Sequence, residues 1–147
     1  TPLGNVDVVS VLTDCLLGFH SLFEKKGINP QVDLPDHAVM IVSNTQALER
    51  IFQNLFQNAL RYAIDTIGLS LSAEGIFTIT NNTEVLTVDD TTHLFERFYT
   101  ADRSRSTGGS GLGLYIVKRL LEKTHGTIGA TKLENGFFCL EIVFRVV

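Results

Sequence analysis

Apolar residues recur at helical spacing between Val8 and Lys26, at Val8, Val11, Leu12, Cys15, Leu16, Phe19, Leu22 and Phe23. The stretch predicts an amphipathic helix with Asp7 as its cap and Gly27 as its stop. Ile28–Leu34 and Val39–Val42 are short, rich in β-branched residues and separated by Pro35-Asp36, which reads as two strands joined by a turn. Asn44 caps a second helix running to about Ala63. Leu69–Leu71 and Ile76–Ile79 read as strands around Glu74-Gly75, a short helix follows from Asp89 to Leu94, and a third long helix covers about Gly111–Lys123. Thr127–Leu133 and Phe137–Val146 flank Glu134-Asn135-Gly136, and Asn-Gly between two apolar runs is a hairpin signal. This alternation predicts an α+β fold, a mixed sheet with helices packed on one face.

Composition narrows the picture. A chain of 147 residues with 44% apolar content can bury one substantial core, so a single domain over residues 1–147 is expected. The net charge of −4 offers no basic field for phosphate backbones, which argues against nucleic acid as a partner. Cys15 and Cys139 lie far apart in apolar stretches and are expected to be free, reduced thiols. No apolar run approaches the roughly 20 residues that span a bilayer. The chain starts at Thr1 and contains only Met40, which suggests a cytoplasmic fragment of a longer protein, itself expected to be anchored in a bacterial membrane.

Two segments carry candidate chemistry. Around the second helix, Leu48, Ile51, Phe52, Leu55, Phe56, Ala59 and Leu60 form one apolar face, and Asn54, Asn58 and Arg61 fall together on the other side. Amides are mediocre helix formers, so two of them one turn apart beside a cation are either a solvated polar face or ligands. Amide oxygens suit magnesium and a guanidinium suits phosphate. Further along, Gly108-Gly109-Ser110-Gly111-Leu112-Gly113-Leu114 runs into the third helix. Glycines let backbone curl around an anion and the helix start attracts it, although a flexible linker has similar composition. The regularly placed Leu112 and Leu114 favour the cradle. It is not a P-loop, because no Lys-Ser or Lys-Thr follows.

These residues resemble a known family. Asn54-Leu55-Phe56-Gln57-Asn58-Ala59-Leu60-Arg61-Tyr62 is similar to the N box of sensor histidine kinases, Phe95-Glu96-Arg97-Phe98-Tyr99 to their F box, and Gly109-Ser110-Gly111-Leu112-Gly113-Leu114 to their second glycine box. The resemblance implies the Bergerat fold, a two-layer α/β sandwich with three main helices and an ATP lid, here residues 87–110. By similarity Asn58 coordinates magnesium, Asn54 lines the phosphate site, and Arg61 stands where the family carries a phosphate-binding lysine. Tyr62 would face the nucleotide, Arg103 and Arg105 swing in from a mobile lid, and the backbone of Gly109, Ser110, Gly111, Leu112, Gly113 and Leu114 hold phosphates. Phe95 and Phe98 would anchor the lid. Asn81 stands where the family's adenine-reading aspartate lies, with Thr83 and Val85 at the glycines of the same box. Branched side chains there predict a loop that closes differently if the glycines have positive φ. The family's Gly-Thr-x-Phe element is missing from the closing strands, with Gly136-Phe137-Phe138 nearby.

None of His20, His37, His93 and His125 is followed by an acidic residue, as the family's phosphoacceptor is. The resemblance therefore implies ATP and magnesium as ligands, with three protein-level partners: a separate phosphoacceptor helical domain, a response regulator, and a second copy of the parent, homodimeric through that domain. Hydrolytic relatives have a glutamate where Asn54 stands, and an amide is a poor general base, so transfer to an external histidine fits better than hydrolysis. Two alternatives stand beside this reading: a degenerate nucleotide-binding regulatory domain, and a serine kinase of the anti-sigma type.

Overall fold

The computed structural model describes residues 2–101 and 111–147. Strand β1, Gly4–Asp7, leads directly into α1, Val8–Lys25. Asp7 caps this helix as its position predicts, its carboxylate accepting from Val9 N–H at 3.0 Å, and it also accepts from Val39 N–H at 3.2 Å. Strands β2 (Gln31–Asp33) and β3 (Met40–Ser43) follow, then α2, Thr45–Tyr62. Asn44 caps α2 through Ala47 N–H at 2.8 Å. Strands β4 (Ile67–Leu71) and β5 (Ile76–Asn82), the short α3 (Val88–His93), α4 (Gly113–Lys123), β6 (Thr127–Glu134) and β7 (Phe137–Val143) complete the order.

The main sheet has the order β2-β4-β5-β7-β6. Only β2 runs parallel to its neighbour; the β4–β5, β5–β7 and β7–β6 pairs are antiparallel. The β6–β7 hairpin turns through Asn135 at φ 53° and Gly136 at φ 79°, the left-handed pair that an Asn-Gly turn supplies. One expectation fails here. The strands on either side of Pro35-Asp36 do not pair with each other: β2 lies beside β4, and β3 joins β1 in a separate two-stranded sheet. The tail returns to this small sheet, with Val42 N–H donating to Arg145 O at 2.8 Å and Val147 N–H to Met40 O at 3.0 Å. Local composition marks a turn, but strand partners are set by the hydrogen-bonding edges that distant segments present.

Alternation decides which face is covered. On β4, Ile67, Leu69 and Leu71 are buried, and on β5 so are Phe77, Ile79 and Asn81, whereas Gly68, Ser70, Thr78 and Thr80 are half-buried on the other side. Helices α2 and α4 pack with α1 into one core with the apolar face of this sheet. Its centre is aromatic: Phe52 meets Phe56, Phe77 and Phe144 at ring-centroid distances of 6.1, 5.3 and 5.9 Å. Such burial contributes roughly 1.5–3 kcal/mol per ring. The remaining face of α2 stays outside this core and carries the asparagines.

Both cysteines are free thiols. Burial first, then the charges of Glu49 and Asp14, push Cys15 up to about 11, so it is no thiolate nucleophile near neutral pH. Among the described residues no helix is long and apolar enough to cross a membrane, and no cluster of metal-ligating side chains is present.

Candidate functional site

Helix α2 presents Asn54, Asn58 and Arg61 as half-buried residues, one or nearly one turn apart, opposite its buried face. Asn54 donates through Nδ2 to Arg50 O at 2.8 Å, which turns its Oδ1 the other way. That oxygen faces the start of α4: a Cβ added to Gly113 would sit 3.2 Å from it. Glycine at this position therefore allows α4 to approach the asparagine helix closely. No side chain caps the first turn of α4, whose N-cap residue is Leu112. Backbone N–H groups and the positive end of the helix dipole thus stand beside the Asn54 amide.

Gly111, at φ 77°, is pressed against the F-box backbone. Its carbonyl accepts from Phe98 N–H at 2.9 Å, and a Cβ there would lie 2.5 Å from the Phe98 carbonyl carbon. Phe95 packs partly buried against the core. Phe98 departs from expectation, because its ring is 60% exposed. Its own φ is 66°, and its backbone rather than its ring meets Gly111. The Arg97 guanidinium lies 4.8 Å from the centre of the Phe98 ring and 5.9 Å from that of Tyr115.

Below this junction, Tyr99 O–H donates to Asp90, whose carboxylate also receives Thr87 N–H at 2.8 Å and closes a capping box on α3. Sequence reasoning missed this pair, although Thr87 followed three residues later by an acid is the signal for such a box. Tyr62 is buried, with Arg61 5.3 Å above its ring, and Leu114 is buried too, which leaves it only its backbone to offer a ligand. Arg103, Arg105, Gly109, Ser110 and the rest of the expected lid from 102 to 110 lie outside the described residues.

Asn81 is 2% exposed on the helix-covered face of β5, in register with Ile67 and Phe138. Its Nδ2 donates to Asn82 O at 3.0 Å. The loop after it closes without positive φ at Thr83 or Val85. Instead the Thr83 hydroxyl accepts from Val85 N–H at 3.2 Å and Leu86 N–H at 3.4 Å, so the branched residue makes its own turn.

Residues 43–146 match the family described as histidine kinase-, DNA gyrase B-, and HSP90-like ATPase. The chain belongs to this family. Among its relatives, the sensor histidine kinase YcbM of Bacillus subtilis is 37% identical over 134 residues, which cover 86% of this chain and 43% of YcbM. The histidine-protein kinase BaeS of Escherichia coli is 32% identical over 138 residues, 89% of this chain and 29% of BaeS. The chain thus spans less than half the length of either relative. The catalytic domain of histidine kinase ThkA superposes with a TM-score of 0.83 over 99% of both chains at 16% identity, a likeness of fold. The mixed sheet and helices predicted from the sequence are the arrangement found in such catalytic domains.

Proposed function

We propose that residues 1–147 form the ATP-binding catalytic domain of a two-component sensor histidine kinase, which passes the γ-phosphate of ATP to a histidine on a separate helical domain. The observation that carries this reading is the approach of the start of α4, which no side chain caps, to Asn54, so that an amide side chain and helix-terminal backbone donors lie side by side. Asn58, with a hard amide oxygen on the same stripe, would hold magnesium, and the ion would neutralise charge on the phosphate oxygens. Arg61 would pair with a phosphate oxygen, and Gly111, Leu112, Gly113 and Leu114 would donate from the backbone; Gly109, Ser110, Arg103 and Arg105 would join from the lid. In this reading the parent is a membrane-anchored homodimer whose helical domain serves a response regulator. The test is to mix the chain with the parent's helical domain, magnesium and γ-labelled ATP. Label on histidine, labile to acid and stable to alkali, is the expected result; label on serine, or none, would overturn it.

Replacing Asn58 by alanine should weaken magnesium-dependent ATP binding by at least about 1–2 kcal/mol, the loss of one ligand to a charged group. Calorimetric titration of parent and variant checks this, and equal affinities with an intact fold would remove Asn58 from the metal site.

Asn81 is proposed to meet the base. An amide can accept from the amine of adenine or, flipped, donate to the keto oxygen of guanine, whereas a carboxylate only accepts. Asn81→Asp should therefore tighten ATP binding by roughly 1 kcal/mol and widen the preference for ATP over GTP. If titrations show both affinities unchanged, Asn81 does not touch the base.

A further inference from the structure

The last residue of β5, Asn82, carries more hydrogen bonds through its side chain than any candidate site residue described above. Its Oδ1 accepts from three successive backbone donors, Ile64 N–H at 3.1 Å, Asp65 N–H at 3.1 Å and Thr66 N–H at 3.0 Å. Its Nδ2 donates to Asp65 Oδ1 at 2.7 Å. The main chain adds two bonds, Ile64 N–H to Asn82 O at 3.2 Å and Asn82 N–H to Thr66 O at 3.2 Å. Residues 64–66 lie in the segment between the end of α2 and the start of β4, outside both elements. Asn82 gathers these donors into a single acceptor. In doing so it fastens the C-terminal end of the asparagine helix to the strand whose preceding residue, Asn81, is the proposed base contact.

We propose that Asn82 is a positioning residue for the nucleotide, fixing the distance between the phosphate-binding stripe of α2 and the base-binding end of β5. This rests on the nucleotide-binding reading given above. The geometry needs both halves of the amide: the oxygen for the three N–H groups, the nitrogen for Asp65. A side-chain amide offers an acceptor and a donor from one rigid plane, which a carboxylate does not. Asn82 first, and then the Thr66 hydroxyl, hold the Asp65 carboxyl below the usual carboxylate range, so Asp65 is ionised at neutral pH and receives the Nδ2 donor as a charged partner.

Asn82→Asp preserves the acceptor and sets a second carboxylate against Asp65. Its affinity for magnesium-ATP, titrated well below its melting temperature, is expected to fall roughly tenfold. The exchanged pair, Asp65→Asn with Asn82→Asp, restores a donor facing an acceptor and should return the affinity to within about threefold of the parent. A merely structural Asn82 would lower the melting temperature without changing the affinity of the folded protein. That result would overturn the proposal, as would an exchanged pair that melts like the parent yet stays weak. Should Asn82→Asp fail to fold, Asp65→Ala keeps the three amide bonds and is expected to bind about threefold more weakly, while unchanged affinity would count against the proposal. A parent chain that does not bind magnesium-ATP would overturn the nucleotide reading and this inference together; a parent that binds, with an equally competent Asn82→Asp, overturns the positioning role alone.

Discussion

Phe52→Ala is expected to lower the free energy of unfolding by about 3–5 kcal/mol, a large share of the roughly 5–15 kcal/mol that holds a domain together. The ring is fully buried and touches aromatic partners from its own helix, from β5 and from the segment following β7. Removing it leaves a cavity at the point where α2 rests on the sheet, because the surrounding rings can relax only partly. Urea denaturation gives the measurement: the midpoint should fall while the slope stays that of the parent. A loss under about 1 kcal/mol would mean that the ring is not packed as described. The functional consequence follows from geometry. Phe52 and Asn54 sit on opposite faces of one helix, so the burial of the first determines where the second points.

Gly111→Ala should cost the most at the candidate site for its size. Two penalties combine: a left-handed backbone, worth roughly 1–2 kcal/mol for a residue with a Cβ, and a carbon placed 2.5 Å from the Phe98 carbonyl carbon. Backbone cannot swing aside as a side-chain tip does, so the F-box turn must separate from the start of α4 and give up the Phe98 to Gly111 bond. ATP affinity is expected to fall about tenfold or more, the equivalent of roughly 1.4 kcal/mol. Gly136→Ala provides the control. It shares the positive φ but meets nothing within 4 Å, so melting should drop modestly while nucleotide binding stays as it was. Equal affinities for parent and Gly111→Ala would show that this junction does not shape the site.

The candidate site was legible in proportion to how local its chemistry is. Asn54, Asn58 and Arg61 share a stripe because helical periodicity places them there, and the glycine cluster announces a backbone that approaches something closely. Nothing local announces Asn82, since an asparagine at a strand end is common and its three donors come from residues 16 to 18 positions away. The branched Thr83 was expected to make its loop close differently from one built on glycines, but the sequence did not show the means: its hydroxyl accepts two N–H groups without a positive φ.

The chain's own pattern determined its helices, the apolar face of each, the Asp7 and Asn44 caps and the Asn135-Gly136 hairpin, because these depend on interactions within a few residues. The fold class followed from their order. Tertiary structure alone decided which strands pair. Gln31–Asp33 and Met40–Ser43, a few residues apart in sequence, went to different sheets because their partners, β4 and β1, were supplied from elsewhere in the chain. It also decided that the Phe98 backbone meets Gly111 while its side chain stays largely exposed, and that Gly113 stands against Asn54. Backbone hydrogen bonds carry no side-chain signature, and a glycine marks a close approach without naming its partner, so both are settled only when distant segments are brought together.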